Sequence, residues 1–144
     1  MSLLKRKLKV PRVAKLIGFR LLNAGKGRAV CSMQTNKEHE NTMGTVHGGI
    51  LCDLADAAMG FAFETTLPPE AAGATVELKM NFLKPVFVVE TLRAFARVLS
   101  QGKTLTYVEC EVRNGEGRLV AKAASTCKRL SMTLQPKKRR KASK

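Results

Sequence analysis

Residues 48–63 read GGILCDLADAAMGFAF, and the way this stretch folds decides the architecture. Asp53 and Asp56 are its only polar side chains. It is longer than an ordinary strand of about five or six residues. It also lacks a polar stripe, so it reads as a helix buried almost all round. Asp is a weak helix former, and a carboxylate carried into an apolar interior is costly unless paired, or else titrates upward. Three positions apart on a helix, Asp53 and Asp56 project from roughly one face, about 60° from each other. Asp53 lies nearer the N-terminus, where the helix dipole favours an anion, and it serves as well to locate the helix as to do chemistry. Asp56, deeper in, asks for a chemical reason.

Immediately upstream stands Val46-His47-Gly48-Gly49. The first N–H groups of a helix have no intrahelical partner and carry partial positive charge. Glycine at Gly48 and Gly49 lets a substrate approach them closely, and such donors stabilise the oxyanion of acyl transfer. Two glycines would equally permit a tight entry into a crowded helix.

Downstream the period changes to two. Ala74, Val76, Leu78, Met80 and Phe82 alternate with Thr75, Glu77, Lys79 and Asn81, as a strand with one buried face requires. Residues 91–100, 103–113 and 118–130 read as further strands, separated by Gln101-Gly102 and by the hairpin signal Asn114-Gly115-Glu116-Gly117. Upstream, residues 28–35 alternate after a turn at Gly25–Gly27, residues 13–22 are apolar enough to dock on the domain, and 36–46 form a loop. The expected fold is α+β: one strand, a central helix, then a four-stranded meander, giving an antiparallel sheet wrapped around a helix.

The 144 residues suit one domain with a genuine core. The net charge of +15 is concentrated at the ends. Residues 1–20 carry seven Lys/Arg, residues 136–144 carry six more, and neither segment has an acid, which leaves 13 basic and 11 acidic residues between them. We therefore divide the chain into a basic arm (1–12), a domain (13–130) and a basic tail (131–144). No apolar run reaches the ~18 residues of a membrane-spanning helix, and the N-terminus lacks the apolar stretch of a signal peptide. A cytoplasmic protein is expected. Cys31, Cys52, Cys110 and Cys127 show no metal-ligand spacing and sit among apolar neighbours, so reduced thiols and no metal are expected.

The run from Asn41 through His47, Gly48 and Gly49 to Asp56 resembles the hotdog-fold thioesterases of the phenylacetate-pathway (PaaI) type. That family places an Asn six residues before the histidine of its HGG motif and a catalytic acid nine after it, spacings met here by Asn41 and Asp56. The strand ending at Pro85 is also similar, with Thr75 where a Ser or Thr can face the site. The similarity spans roughly residues 13–130, and Asp53 is a carboxylate additional to the pattern. The resemblance implies an acyl-CoA substrate and no cofactor beyond the CoA it carries. Asp56 would act as nucleophile or general base, the Gly48 N–H would polarise the thioester carbonyl, and His47 and Asn41 would orient substrate or water. Met43, Met59 and Phe63, with residues of a partner chain, would line the acyl pocket beside Gly49. Lys103, Thr104, Lys128 and Arg129 are candidates to meet the CoA phosphates, although charges at strand ends are more often simply solvated.

Eight residues of helix separate Gly48 from Asp56, about 12 Å along the axis. A reacting carbonyl must lie about 3 Å from its oxyanion donor and within reach of the nucleophile. One helix cannot provide both, whereas two antiparallel helices across a two-fold bring Gly48 of one to Asp56 of the other. The mechanism therefore predicts a homodimer, and the resemblance adds dimers of dimers. The alternatives are a dehydratase on the same scaffold, an acyl-CoA-binding protein without turnover, and a nucleic-acid-associated module acting through the basic ends. The domain offers nucleic acid no zinc site, no helix-turn-helix and few stacking aromatics, with no Trp and one Tyr.

Overall fold

A computed structural model describes residues 8–130. The basic tail and the first seven residues of the basic arm lie outside the described residues. A short helix α1 (Val13–Ile17) is followed by strands β1 (Phe19–Gly25) and β2 (Arg28–Gln34), a 3-10 turn (Lys37–His39) and the helix α2 (Gly48–Glu64). Four more strands complete the chain: β3 (Ala72–Phe82), β4 (Thr91–Gln101), β5 (Leu105–Arg113) and β6 (Leu119–Leu130). The strands form one antiparallel sheet in the order β1-β2-β4-β5-β6-β3, with α2 against its inner face.

Two expectations about the strands are corrected. The segment after α1 is itself a strand: Gly18 ends α1 in the left-handed region (φ 98), and Lys26-Gly27, both with positive φ, turn β1 back onto β2. A bulge between Leu21 and Asn23 breaks the alternation that would have announced β1. Nor do the last four strands form a meander. Only β4, β5 and β6 do, while β3 pairs with β6 at the far edge. The connection 83–90 makes the difference, because it is long enough to cross the end of the sheet. It leaves β6 with Leu83 N–H donating to the Val120 carbonyl (2.9 Å) and passes the helix entrance, where Val46 N–H donates to the Val86 carbonyl (2.7 Å). It then reaches β2, where Thr35 N–H donates to the Glu90 carbonyl (2.9 Å).

The inner face of the sheet is rich in small side chains: Ala94, Ala96, Ala121 and Ala123 are all buried there. They leave room for α2 to settle close, with Leu51, Leu54, Ala55, Ala58, Met59 and Ala62 driven into the core. The helix is not buried all round. Gly49 and Asp53 are exposed, and Cys52, Asp56, Ala57 and Gly60 half-buried, so one stripe stays open in the single chain. Edge strand β3 is equally uncovered: Leu78 and Phe82 are exposed although they lie opposite the buried Ser125 and Ala121 and so face the helix side, and Val76, the bulged residue between Thr75 and Glu77, is exposed as well.

Candidate active site

The N-terminus of α2 is a built anion-facing end. His47 is its N-cap and its Nδ1 accepts from the Gly49 N–H (2.9 Å), while the His47 carbonyl accepts from Ile50 N–H (2.9 Å). Nδ1 is thus an acceptor, and in the neutral ring the proton sits on the exposed Nε2. The Gly48 N–H is left with no partner among the described residues. Phe82, at the end of β3, lays its ring against Gly48: a Cβ there would lie 2.9 Å from Cζ, so only glycine fits without displacing the ring.

The loop that delivers this end is held from several sides. Asn41 Oδ1 accepts from Met43 N–H (2.9 Å) and Thr45 N–H (3.1 Å), and its Nδ2 donates to Thr45 Oγ1 (2.8 Å). Asn41 therefore shapes the loop, with one amide hydrogen to spare. His39, buried and absent from the sequence reading, accepts from Asn36 N–H at Nδ1 (3.1 Å) and so donates from Nε2 to the Ile17 carbonyl (2.7 Å). Its own carbonyl receives the His47 N–H (2.8 Å). An open cleft of about 460 Å³ lies beside Gly48, with Val46, Leu51, Phe82, Pro85 and Val86 among its walls. Phe82 and Val86 were readable only as alternating strand and loop residues, and only the crossing of 83–90 makes them neighbours of Gly48.

Asp56 stands two turns down the helix. Its Oδ1 accepts from the Thr75 hydroxyl (2.9 Å), which joins helix and edge strand. Thr75 lies directly opposite Cys127 on β6. The Cys127 thiol is pushed up by burial, with Ser125 and Thr75 acting against that as hydrogen-bond partners and Asp56 adding to it. Asp53 makes no hydrogen bond or ion pair with another described side chain. Desolvation, then the neighbouring Asp56, hold its carboxyl above the usual range. Burial and the same two carboxylates raise the Cys52 thiol.

The four candidates for the CoA phosphates are neighbours along the backbone, although Lys128 and Arg129, successive in β6, project from opposite faces of the sheet. Arg129 N–H donates to the Thr104 carbonyl (2.8 Å), Lys128 pairs in register with Leu105, and Lys103 stands beside them, all exposed. Lys128 also lies opposite Ala74, next to Thr75. Met43 is 81% exposed on the entry loop. Met59 and Phe63 are corrected: both are buried beneath α2 in the core of their own chain. The single chain thus holds its candidate groups apart, Gly48 with its cleft at the start of α2 and Asp56 with Thr75 two turns further down. Among the described residues no cluster of His, Cys, Asp and Glu could hold a metal ion, and no helix is long and apolar enough to cross a membrane.

Comparison with known proteins agrees with this architecture. The family described as the Thioesterase superfamily matches residues 43–121. Acyl-coenzyme A thioesterase 13 of Homo sapiens is 33% identical over 107 residues, 74% of this chain and 76% of that protein. The PaaI protein of the E. coli phenylacetic acid degradation operon superposes with a TM-score of 0.80 at 29% identity, covering 87% of this chain and 88% of its own. A conserved Pseudomonas aeruginosa protein also reaches a TM-score of 0.80, at 32% identity over 84% of this chain and 95% of that one. By sequence and by fold, the chain belongs to the thioesterase superfamily, as a hotdog-fold thioester hydrolase of the PaaI type.

Proposed function

We propose that this protein hydrolyses acyl-CoA thioesters to free acid and CoA at two equivalent sites, each shared between the subunits of a two-fold dimer. The observation that carries this reading is the Gly48 N–H, without a partner among the described residues, at one end of α2, with Asp56 about 12 Å away along the same helix. Each is half of an acyl-transfer site, and a second copy running antiparallel supplies the other half. The features such a copy would cover are the open stripe of α2 and the apolar edge strand β3. Gly49 and Gly60 in that stripe allow close approach of another helix.

In this arrangement the thioester carbonyl accepts from Gly48 N–H, which stabilises the negative charge that develops on its oxygen. The partner subunit's Asp56 attacks the carbonyl carbon to form a mixed anhydride that water then hydrolyses to the free acid, or it takes a proton from a water that attacks directly; in either course the C–S bond breaks and the CoA thiolate leaves, taking up a proton from that water. The Thr75 hydroxyl aims the carboxylate. His47 presents Nε2–H at the mouth, and Asn41 keeps the loop in shape. The acyl group occupies the apolar cleft beside Gly48. Lys103, Thr104, Lys128 and Arg129 meet the CoA phosphates by charge and hydrogen bonding. The name of the human relative, an acyl-coenzyme A thioesterase, supports CoA as the thiol.

The test is thiol release from a panel of short, medium, long and aryl acyl-CoAs, comparing the natural chain with Asp56→Asn, with oligomeric state measured alongside. We expect kcat to fall by about 10²–10⁴-fold in a variant that remains folded and dimeric. No turnover of any acyl-CoA by the natural chain would overturn the reading.

A further inference from the structure

The segment leading into β1 carries groups that thioester hydrolysis does not use. Leu8, Ala14, Ile17 and Phe19 pack against the core and seat this segment on the domain. Val10, Val13 and Leu16 are left in solvent, and Leu16, 82% exposed, is the most exposed large hydrophobic side chain among the described residues. Val13 and Leu16, three apart on α1, share one of its faces. Interleaved with them stand Lys9, Arg12, Lys15 and, on β1, Arg20, all exposed and none in an ion pair among the described residues. No acidic residue precedes Glu38 in the chain. One exposed segment therefore combines bulky apolar groups with uncompensated positive charge.

We infer that this surface docks on an anionic lipid bilayer, with Val10, Val13 and Leu16 entering the boundary between headgroups and acyl chains and the four cations facing the anionic headgroups. Two observations choose that partner. A polyanion without an apolar phase, such as nucleic acid, would satisfy the cations but leave Leu16 in water. A second copy docking by the same surface would set cation against cation. A bilayer answers both, because charge draws a basic segment to its surface while bulky apolar side chains enter its boundary layer. The contact lies on the membrane rather than across it. α1 precedes β1, at the opposite edge of the sheet from β3, so the pairing proposed above through α2 and β3 uses other parts of the chain. His39, whose carbonyl receives the His47 N–H, donates from Nε2 to the Ile17 carbonyl (2.7 Å) and so ties the end of α1 to the loop that delivers Gly48. Docking thus brings that loop toward the phase into which long acyl chains partition.

The chain has no Trp, so Leu16→Trp places a single fluorescent reporter at the point of entry. With vesicles of phosphatidylcholine and phosphatidylserine at low salt its emission is expected to shift to the blue, and with phosphatidylcholine alone to stay unshifted. Without the reporter, co-sedimentation with the same anionic vesicles is expected to weaken as salt is raised. It is also expected to fall by roughly tenfold or more in the double variant Val13→Ser/Leu16→Ser, which withholds two apolar side chains from the bilayer. Both side chains are exposed, so the double variant is expected to fold normally and to turn over a short acyl-CoA at the full rate without vesicles, which keeps this inference separate from the thioesterase reading. Vesicle binding that the double variant retains at full strength would overturn the proposal and assign the attraction to charge alone, including the six cations of residues 136–144. An unshifted reporter on anionic vesicles, with the same chain retained on duplex DNA, would overturn it in favour of nucleic acid.

Discussion

Gly73 offers a quantitative test of how tightly edge strand β3 is seated on the helix. It sits opposite Arg129 near the start of β3, and a Cβ there would run into the Phe63 ring, meeting Cε1 while lying 3.0 Å from Cδ1 and Cζ. Phe63 is 2% exposed in the last turn of α2, so its ring has little room to retreat. Two effects oppose one another in Gly73→Ala. The backbone of Gly73 is not in the left-handed region, so alanine fits the strand conformation and reduces unfolded-state entropy, worth about 0.4–1 kcal/mol in favour of folding. Overpacking against a buried ring costs about 1–3 kcal/mol. The clash wins by about 1–2 kcal/mol, which for a domain of this size lowers Tm by roughly 3–10 °C. Thermal and urea unfolding at fixed protein concentration would measure it, since the proposed dimerisation would make Tm concentration-dependent. Combining the change with Phe63→Leu removes the obstacle, so the penalty should shrink to nothing or reverse. An unchanged Tm in Gly73→Ala alone, or the same drop in the Phe63→Leu background, would refute the reasoning.

Other expectations follow from the same geometry. Asp53 has a raised folded-state pKa from desolvation and from Asp56, so the folded chain holds that proton more tightly than the unfolded one. Its charge therefore opposes folding above the folded pKa, and the effect disappears as pH falls below the ordinary carboxylate value. Asp53→Asn should raise Tm at pH 7 and leave it unchanged near pH 3, as read by paired melts. Burial pushes the Cys31 and Cys110 thiols up to about 12 and raises Cys127 as well, so Cys52→Ser should leave no thiol that reacts with Ellman's reagent at pH 8 before unfolding. Phe82→Ala removes the ring lying on Gly48 and widens the cleft. It should raise kcat/KM for branched or aryl acyl-CoAs relative to straight-chain ones by roughly tenfold, and an unaltered ratio would exclude Phe82 as a wall of the acyl site.

The parts of this fold written locally were readable from the chain alone. Residues 48–63 announce a helix through length and apolarity, and β4, β5 and β6 through alternation and short turns. Gly48 and Asp56 stood out as candidates for the same reason, because glycines at a helix start and a carboxylate in an apolar helix are local anomalies. Information that depends on distant contacts was hidden. The place of β3 is set by how 83–90 crosses the sheet end, which no pattern within β3 encodes. β1 escaped notice because the bulge near Leu22 shifts its alternation. In a helix that is apolar nearly throughout, nothing local told that Met59 points inward while Cys52 and Asp53 do not. His39 was invisible for a related reason, since its anchor at Ile17 lies 22 residues away.

The open side of α2 has one more consequence under the proposed pairing. Gly48, Cys52 and Asp56 follow at intervals of four and so run down one side of the helix, the side whose two ends touch β3 through Phe82 and Thr75. When Gly48 of one subunit stands level with Asp56 of the other, symmetry places the level of residue 52 on the rotation axis. Cys52 then has its own copy as its neighbour. Every other position on this surface can adapt to a change by an answering change elsewhere, but a residue on the axis meets itself, so each substitution there is made twice in one spot. Bulk or charge at 52 is doubled with no complementary partner to absorb it, which confines the position to side chains that tolerate their own reflection.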